Sequence, residues 1–369
     1  MSNQNIIKIE EEIENNKKSF RSYKVDMTFG ELMNLYNNDE MKISPPYQRL
    51  FRWDRVQRTK FIESLLLEIP IPPIFVAEDE NGKWEVVDGL QRLSTFFSFL
   101  GCLNEQSNSS EPKNNWKLKK GDLIKNINGM TYKNLPIKNQ LNLKRAFCSV
   151  VVVQTEKEDY DTRYIIFNRL NTGGTKLSDQ EIRNVIYRGI SEDFNEFLRK
   201  YGSNDNFKEL IPTTQTKIDA LFLDELILRF CTLYQNSEHI TGNLSQYMTK
   251  FMEDKVKEIS TSNNQDIIKN YENILNRTIA VLKPLGKNIF KSNGKYGKQF
   301  STSYYDGIMI GVSQNIELCE SVSSNELNEK IKLLKEDKEF EEYTGTGAQN
   351  KKNVVGRINR ANELFSKFD

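Results

Sequence analysis

Two short stretches hold the side chains best suited to handling phosphate. The sharper one is Asp88-Gly89-Leu90-Gln91-Arg92-Leu93-Ser94-Thr95, which reads as a strand end, a tight turn and a helix start. A helix start offers unpaired backbone N–H groups and the positive end of the helix dipole, so it favours an anion. Arg92 in that first turn is disfavoured unless an anion lies between it and the helix. Asp88, at the strand end, is placed to hold a metal ion or to orient a water. The competing reading is structural: Asp88 caps the helix, and Arg92 pairs with it or with a nearby acid.

The second stretch runs from Pro46 to Asp54 and contains Tyr47, Gln48, Arg49, Phe51, Arg52 and Trp53. Arginines are scarce, 16 against 36 lysines, yet Arg49, Arg52, Arg55 and Arg58 lie within ten residues of one another. From Lys42 to Lys60 there are six cations and one acid, in a chain whose net charge is only +1. The planar guanidinium fork suits phosphate oxygens, and the aromatics between could stack on a base. The same spacing also suits a solvated helix start with its aromatics in the core.

Two weaker stretches follow. Tyr164 to Ser178 contains Asn168, Asn171 and a Gly173-Gly174 break, and those asparagines could reach a sugar, a base or a metal-bound water. An ordinary helix–loop–helix explains the glycines equally well. The loop Thr344-Gly345-Thr346-Gly347, followed by Arg357 and Arg360, could clamp phosphate, although a flexible linker before a last helix is the favoured reading. Glu78, Asp79, Glu80 and Lys83 offer acids and a lysine near a strand, but in an order that fits a metal-dependent nuclease core poorly.

Composition removes other chemistries. His239 is the only histidine, which excludes HExxH proteases, Cys/His zinc fingers and His-metal nucleases within these residues. A Ser–His–Asp triad would have to use His239, in a stretch that reads as a polar loop. The four cysteines show no CxxC pairing and read as reduced thiols, as expected in the cytoplasm. No stretch approaches a membrane span.

Elements must position these residues. At 369 residues the chain suggests about two domains. Thr28 to Glu31 has capping-box spacing for a helix to about Tyr36. A short strand is expected near Met41 to Ser44. Asp54 should cap a helix over Arg55 to Glu68, with Phe61, Ile62, Leu65 and Leu66 on one face. Strands are expected over Ile74 to Ala77 and Trp84 to Val87, joined by an Asn81-Gly82 hairpin, then a helix from Gly89 to Leu100. Residues 103–118 read as a polar surface insertion. Cys148 to Val153 reads as a buried strand, and Asp161 to Leu170 as a helix. Ser178 to Glu181 has capping-box spacing. Beyond about residue 190 the periodicity is helical, over 217–235, 246–259, 264–284 and 325–340, with a terminal amphipathic helix over 351–368. The expected fold class is α+β, with a mixed-sheet domain over 25–190, an N-terminal extension over 1–24 and an all-helical domain over 191–369.

Tyr47-Gln48-Arg49 with Trp53, then Asp88-Gly89-Leu90-Gln91-Arg92-Leu93-Ser94-Thr95, then Phe167-Asn168-Arg169-Leu170-Asn171 and Leu177-Ser178, resemble the N-terminal half of GmrSD-type modification-dependent restriction enzymes. That half belongs to the ParB/sulfiredoxin-like superfamily. The resemblance covers about residues 25–190, and the Gly/Thr loop and basic helix near the C-terminus extend it. It implies a pocket for a nucleoside triphosphate with Mg2+, and hydrolysis linked to defence against phage or foreign DNA. Carried over, Arg49 and Arg92 would hold phosphates, and Asp88 and Gln91 would position metal or water. Tyr47, Gln48, Trp53, Gly89, Asn168 and Asn171 would complete the pocket. The family usually carries glutamine where this chain has Leu90, which admits an alternative: a non-catalytic module that senses nucleotide or DNA. The family also often fuses this half to a His-based HNH nuclease. With one histidine, the expected cutting half is a separate effector polypeptide.

Overall fold

The computed structural model describes residues 3–18, 21–43, 53–79, 81–103, 114–154, 169, 177–188, 190–262, 266–292 and 299–368. Two compact units divide between Lys176 and Leu177. The first is α+β and the second helical, as the sequence predicts.

In chain order the first unit contains α1 (Asn3–Lys18), β1 (Arg21–Thr28), α2 (Phe29–Asn37), β2 (Met41–Lys42), α3 (Arg55–Leu66), β3 (Ile74–Glu78), β4 (Trp84–Asp88), α4 (Leu90–Leu100), α5 (Ile137–Arg145) and β5 (Phe147–Gln154). The sheet order is β1-β5-β3-β4-β2. β1 pairs antiparallel with β5 in one unbroken register from Arg21↔Gln154 to Thr28↔Phe147. β5 and β3 are parallel, β3 and β4 antiparallel, and β4 and β2 parallel. The β3–β4 hairpin turns at Asn81-Gly82, where Asp79 Oδ1 accepts from the backbone N–H groups of Asn81 and Lys83. Gly82 takes a φ of 75° there, a conformation open to glycine.

Local chemistry sets the helix starts. Thr28 and Glu31 close a capping box on α2, and Asp54 with Gln57 closes one on α3. Against the sheet's buried residues Ile74, Val76, Val150 and Val152 pack Phe29 and Leu32 of α2, Ile62 and Leu65 of α3, and Leu93, Phe96 and Phe97 of α4. Residues 114–118 correct the expected surface insertion. Trp116 and Leu118 are core residues, and the Trp116 indole N–H donates to Ser98 Oγ at 2.9 Å. Their polar neighbours masked the alternation Trp116-in, Lys117-out, Leu118-in, Lys119-out. The helix expected over Asp161 to Leu170, apart from Arg169, and the Gly173-Gly174 break lie outside the described residues.

The second unit is built around the helix Thr302–Gln314, buried from Ser303 to Ser313. Gly307 and Gly311 let its neighbours approach. A Cβ on Gly311 would lie 2.7 Å from the Phe365 ring and 3.1 Å from Ala361 Cβ, and one on Gly307 would lie 2.5 Å from Phe340. Next to Gly307 the same helix buries Asp306. Arg229 Nη2 donates to Asp306 Oδ2 at 2.7 Å, and Arg357 Nε donates to the same oxygen at 3.0 Å. Arg357 also donates to the carbonyls of Ala348 and Tyr343. That corrects both readings of the C-terminal stretch: Arg357 is fully buried and holds the Gly345–Gly347 turn in place. Arg360 pairs with Asp337 at 2.6 Å and Glu363 at 2.8 Å.

Removing one member of a buried ion cluster strands its partners without compensation. Asp306→Ala should therefore lower the unfolding free energy by about 3–5 kcal/mol, measured by urea denaturation. A loss below about 1 kcal/mol would show that the guanidinium groups find other acceptors.

Candidate functional site

The site begins with an irregularity. Val76 pairs with Val86, but Phe75 pairs with Asp88, so β4 carries one extra residue, Val87, in a bulge. Bulges bend a strand and re-aim its side chains. Val86 and Val87 are both buried as a result, and Asp88 closes the strand. Gly89 then takes a φ of 102° and begins α4 with no side-chain cap. A Cβ at Gly89 would lie 2.9 Å from Ile74 Cγ1, so both the backbone angle and the space call for glycine.

Arg92 sits in the first turn of α4, 8% exposed. Its Nη2 donates to Asp88 Oδ2 at 2.7 Å, and its Nη1 donates to the carbonyls of Pro72 and Pro73, the latter at 3.1 Å. Burial lowers the Arg92 pKa, while the Asp88 charge opposes that shift. Cys148 is close by, but burial pushes its thiol up to about 11, so it is neutral near pH 7 and Asp88 is the charged partner. Gln91 Oε1 accepts from the backbone N–H of Trp53 at 3.1 Å. The Trp53 ring packs 5.6 Å from Phe61, and its carbonyl accepts from Arg58 Nε at 2.9 Å.

Of the residues singled out in the sequence, the structure brings together Asp88, Gly89, Gln91, Arg92 and Trp53. Tyr47, Gln48, Arg49, Asn168 and Asn171 lie outside the described residues. Leu90 packs against the core, as does Trp53. Sequence reasoning missed the carbonyls of Pro72 and Pro73, since a backbone acceptor has no residue signature. It also gave no role to Ser94 and Thr95, whose fully buried hydroxyls have no hydrogen-bond partner among the described residues. An unmet buried hydroxyl costs about 1–3 kcal/mol, the kind of debt that a ligand or a water settles.

No group of three metal-ligating side chains occurs among the described residues. The donor set still fits Mg2+ arriving on phosphates. That ion keeps several waters and needs only one or two carboxylates, and Asp88, its side chain 26% exposed, supplies one. Of the acids beside the hairpin, Glu80 lies outside the described residues, and Glu78 and Asp79 are engaged elsewhere. Glu78 accepts from Tyr23, Trp84 and Gln154, and Asp79 closes the turn. His239 is exposed in a short 3-10 turn of the helical unit.

The mixed sheet thus ends, at the Asp88-Gly89 turn, on a helix start without a side-chain cap, and a buried arginine bridges strand and turn. Residues 29–188 match the family described as GmrSD restriction endonuclease, N-terminal domain. Over those residues the chain is similar to the N-terminal domain of that family. No curated protein and no solved structure matches the chain. Among the described residues, no helix is long and apolar enough to cross a membrane.

Gly89→Ala should destabilise the protein by at least about 1–2 kcal/mol, since a side chain at positive φ carries that penalty before any clash with Ile74. Thermal and urea unfolding measure it. An unchanged midpoint would show that the turn relaxes to ordinary φ.

Proposed function

We propose that the Asp88–Arg92 turn and the Trp53 segment form the phosphate end of a nucleoside triphosphate pocket, and that the protein hydrolyses the nucleotide to control a separate effector nuclease. The observation that carries this reading is the Gln91–Trp53 hydrogen bond. It joins the end of the Tyr47–Trp53 stretch to an uncapped helix start, so two motifs distant in sequence meet where an anion is favoured.

The chemistry asked of these residues is positioning. Phosphoryl transfer to water breaks the bond between the γ-phosphorus and its bridging oxygen, and releases a nucleoside diphosphate and phosphate. Mg2+ bound with the nucleotide would neutralise phosphate charge. The N–H groups of the first α4 turn would bind phosphate oxygens, and Gly89 would let the backbone come close. Asp88 would hold the metal, and the Gln91 amide would orient the attacking water. Arg92 acts chiefly as a positioning residue, fixing Asp88 to the Pro72-Pro73 carbonyls. Arg49, Asn168 and Asn171 would complete the pocket.

One observation favours a second reading. Leu90 packs in the core where the family usually carries glutamine. A domain without that amide could bind nucleotide, or DNA, as a sensor without turning it over.

Phosphate release from ATP, GTP, CTP and UTP with Mg2+, with and without DNA, decides between them. Turnover is expected, with a loss of about 100-fold or more in kcat for Asp88→Asn. Arg92→Lys should also lower turnover, because an ammonium cannot bridge a carboxylate and two carbonyls as the planar fork does. Nucleotide-dependent thermal stabilisation without phosphate release would support the sensor. Neither stabilisation nor release by any of the four would overturn both the hydrolase and the nucleotide sensor.

A further inference from the structure

We propose that α3 and the segment running beside it form a docking strip for the phosphate backbone of a DNA duplex. The segment Trp116–Lys125 is tied along α3 at three places. Trp116 lies beneath Arg55 and Arg58, whose guanidinium carbons sit 5.6 and 5.8 Å from its ring centroid. The backbone N–H of Lys119 donates to Thr59 Oγ1 at 3.0 Å. Farther along, Glu63 accepts from the backbone N–H groups of Asp122, Leu123 and Ile124 at 3.0, 2.9 and 2.6 Å.

This arrangement places the arginines of one element beside the lysines of the other. Residues 54–63 and 116–125 together hold seven cations and three acids, in a nearly neutral chain. Each acid already has a partner; Asp54 and Asp122 lie on the surface, and Glu63 is buried. Asp54 caps α3, Glu63 is buried in its three N–H bonds, and Asp122 pairs with Lys60 at 2.8 Å. Lys117, Lys119 and Lys120 are exposed and make no ion pair among the described residues. Arg55 and Arg58 share one buried indole, so their guanidinium groups are already ordered and lose less freedom on meeting phosphate.

The geometry favours a polynucleotide. A helix of this length spans about 18 Å, the axial run of about five phosphates on one strand. Alternating with Lys117 and Lys119, Trp116 and Leu118 are buried in the core, so this stretch offers charge without the apolar insertion that membrane binding also uses. Leu123, 69% exposed at the far end of the strip, makes vesicles the necessary control.

The test is fluorescence anisotropy of a labelled DNA duplex with the full chain, across a KCl series. Affinity should fall steeply with salt. Replacing Lys117, Lys119 and Lys120 together by alanine should weaken binding by about 10-fold or more. It should also flatten the log–log salt slope by about 0.9 for each phosphate that the variant no longer neutralises. These lysines lie outside the proposed nucleotide site, so nucleotide-dependent stabilisation of the triple variant should match wild type. Loss of DNA binding with that stabilisation kept separates this strip from the pocket. Equal DNA affinity in the triple variant and wild type would overturn the proposal. So would absent DNA binding by wild type, including the case in which it sediments with phosphatidylserine vesicles instead.

Discussion

A guanidinium taken out of water must be met by acceptors on every side that water leaves, and the first unit is arranged around meeting that demand for Arg92. Carried on the first turn of α4, it draws its partners from two places: the carbonyls of Pro72 and Pro73 just before β3, and the Asp88 carboxylate at the end of β4. β3 is hydrogen-bonded to both β4 and β5. One side chain therefore fixes the middle of the sheet to the start of the helix that covers it. The irregular features cluster at this knot. The bulge at Val87 sets where Asp88 stands, and the left-handed Gly89 sets where α4 begins.

The helical unit uses the same physics with the charges reversed. There one carboxylate, Asp306, answers two guanidinium groups, and the geometry reaches outward through Arg357 to the carbonyls that shape the turn before the last helix. Nearby, Arg183 is held by Thr249, Gln180 and Ser245. In a chain with few arginines, Arg92, Arg183, Arg229 and Arg357 are all buried and bridge elements. Scarcity of arginine thus marks cross-links inside the protein as much as contacts with ligand, and composition alone does not separate the two uses.

Legibility in the sequence followed distance along the chain. The capping boxes at Thr28 and Ser178, the Asp54 cap and the Asn81-Gly82 hairpin each depend on residues within one short window, and each formed where the window predicts it. β1 escaped notice because Arg-Ser-Tyr-Lys-Val-Asp-Met-Thr is polar and becomes a strand only by pairing with β5, far along the chain. α1 and α5 were also missed, having weak apolar faces. Trp116 hid in an insertion of polar neighbours. Arg357 looked like a surface cation because its acceptor lies on a helix 51 residues away. At the site, the Asp88–Arg92 motif announced itself, whereas what grips Arg92 from the other side is backbone.

The single histidine acquires a more specific meaning beside this geometry. Many hydrolytic mechanisms need a group that exchanges a proton near neutral pH, and imidazole is the side chain whose ordinary pKa lies there. The buried thiol of Cys148, close to Arg92, is pushed up to about 11, so it offers no such group near neutral pH at the Asp88–Arg92 turn. What that turn does offer is oriented donors, a carboxylate and an amide, the means of holding charge and water in place. Phosphoryl transfer is a reaction for which such positioning and charge neutralisation supply nearly all of the catalysis. Acyl transfer asks for more, a nucleophile activated by an adjacent base, and the described residues around this turn bring together a carboxylate, an amide and a guanidinium.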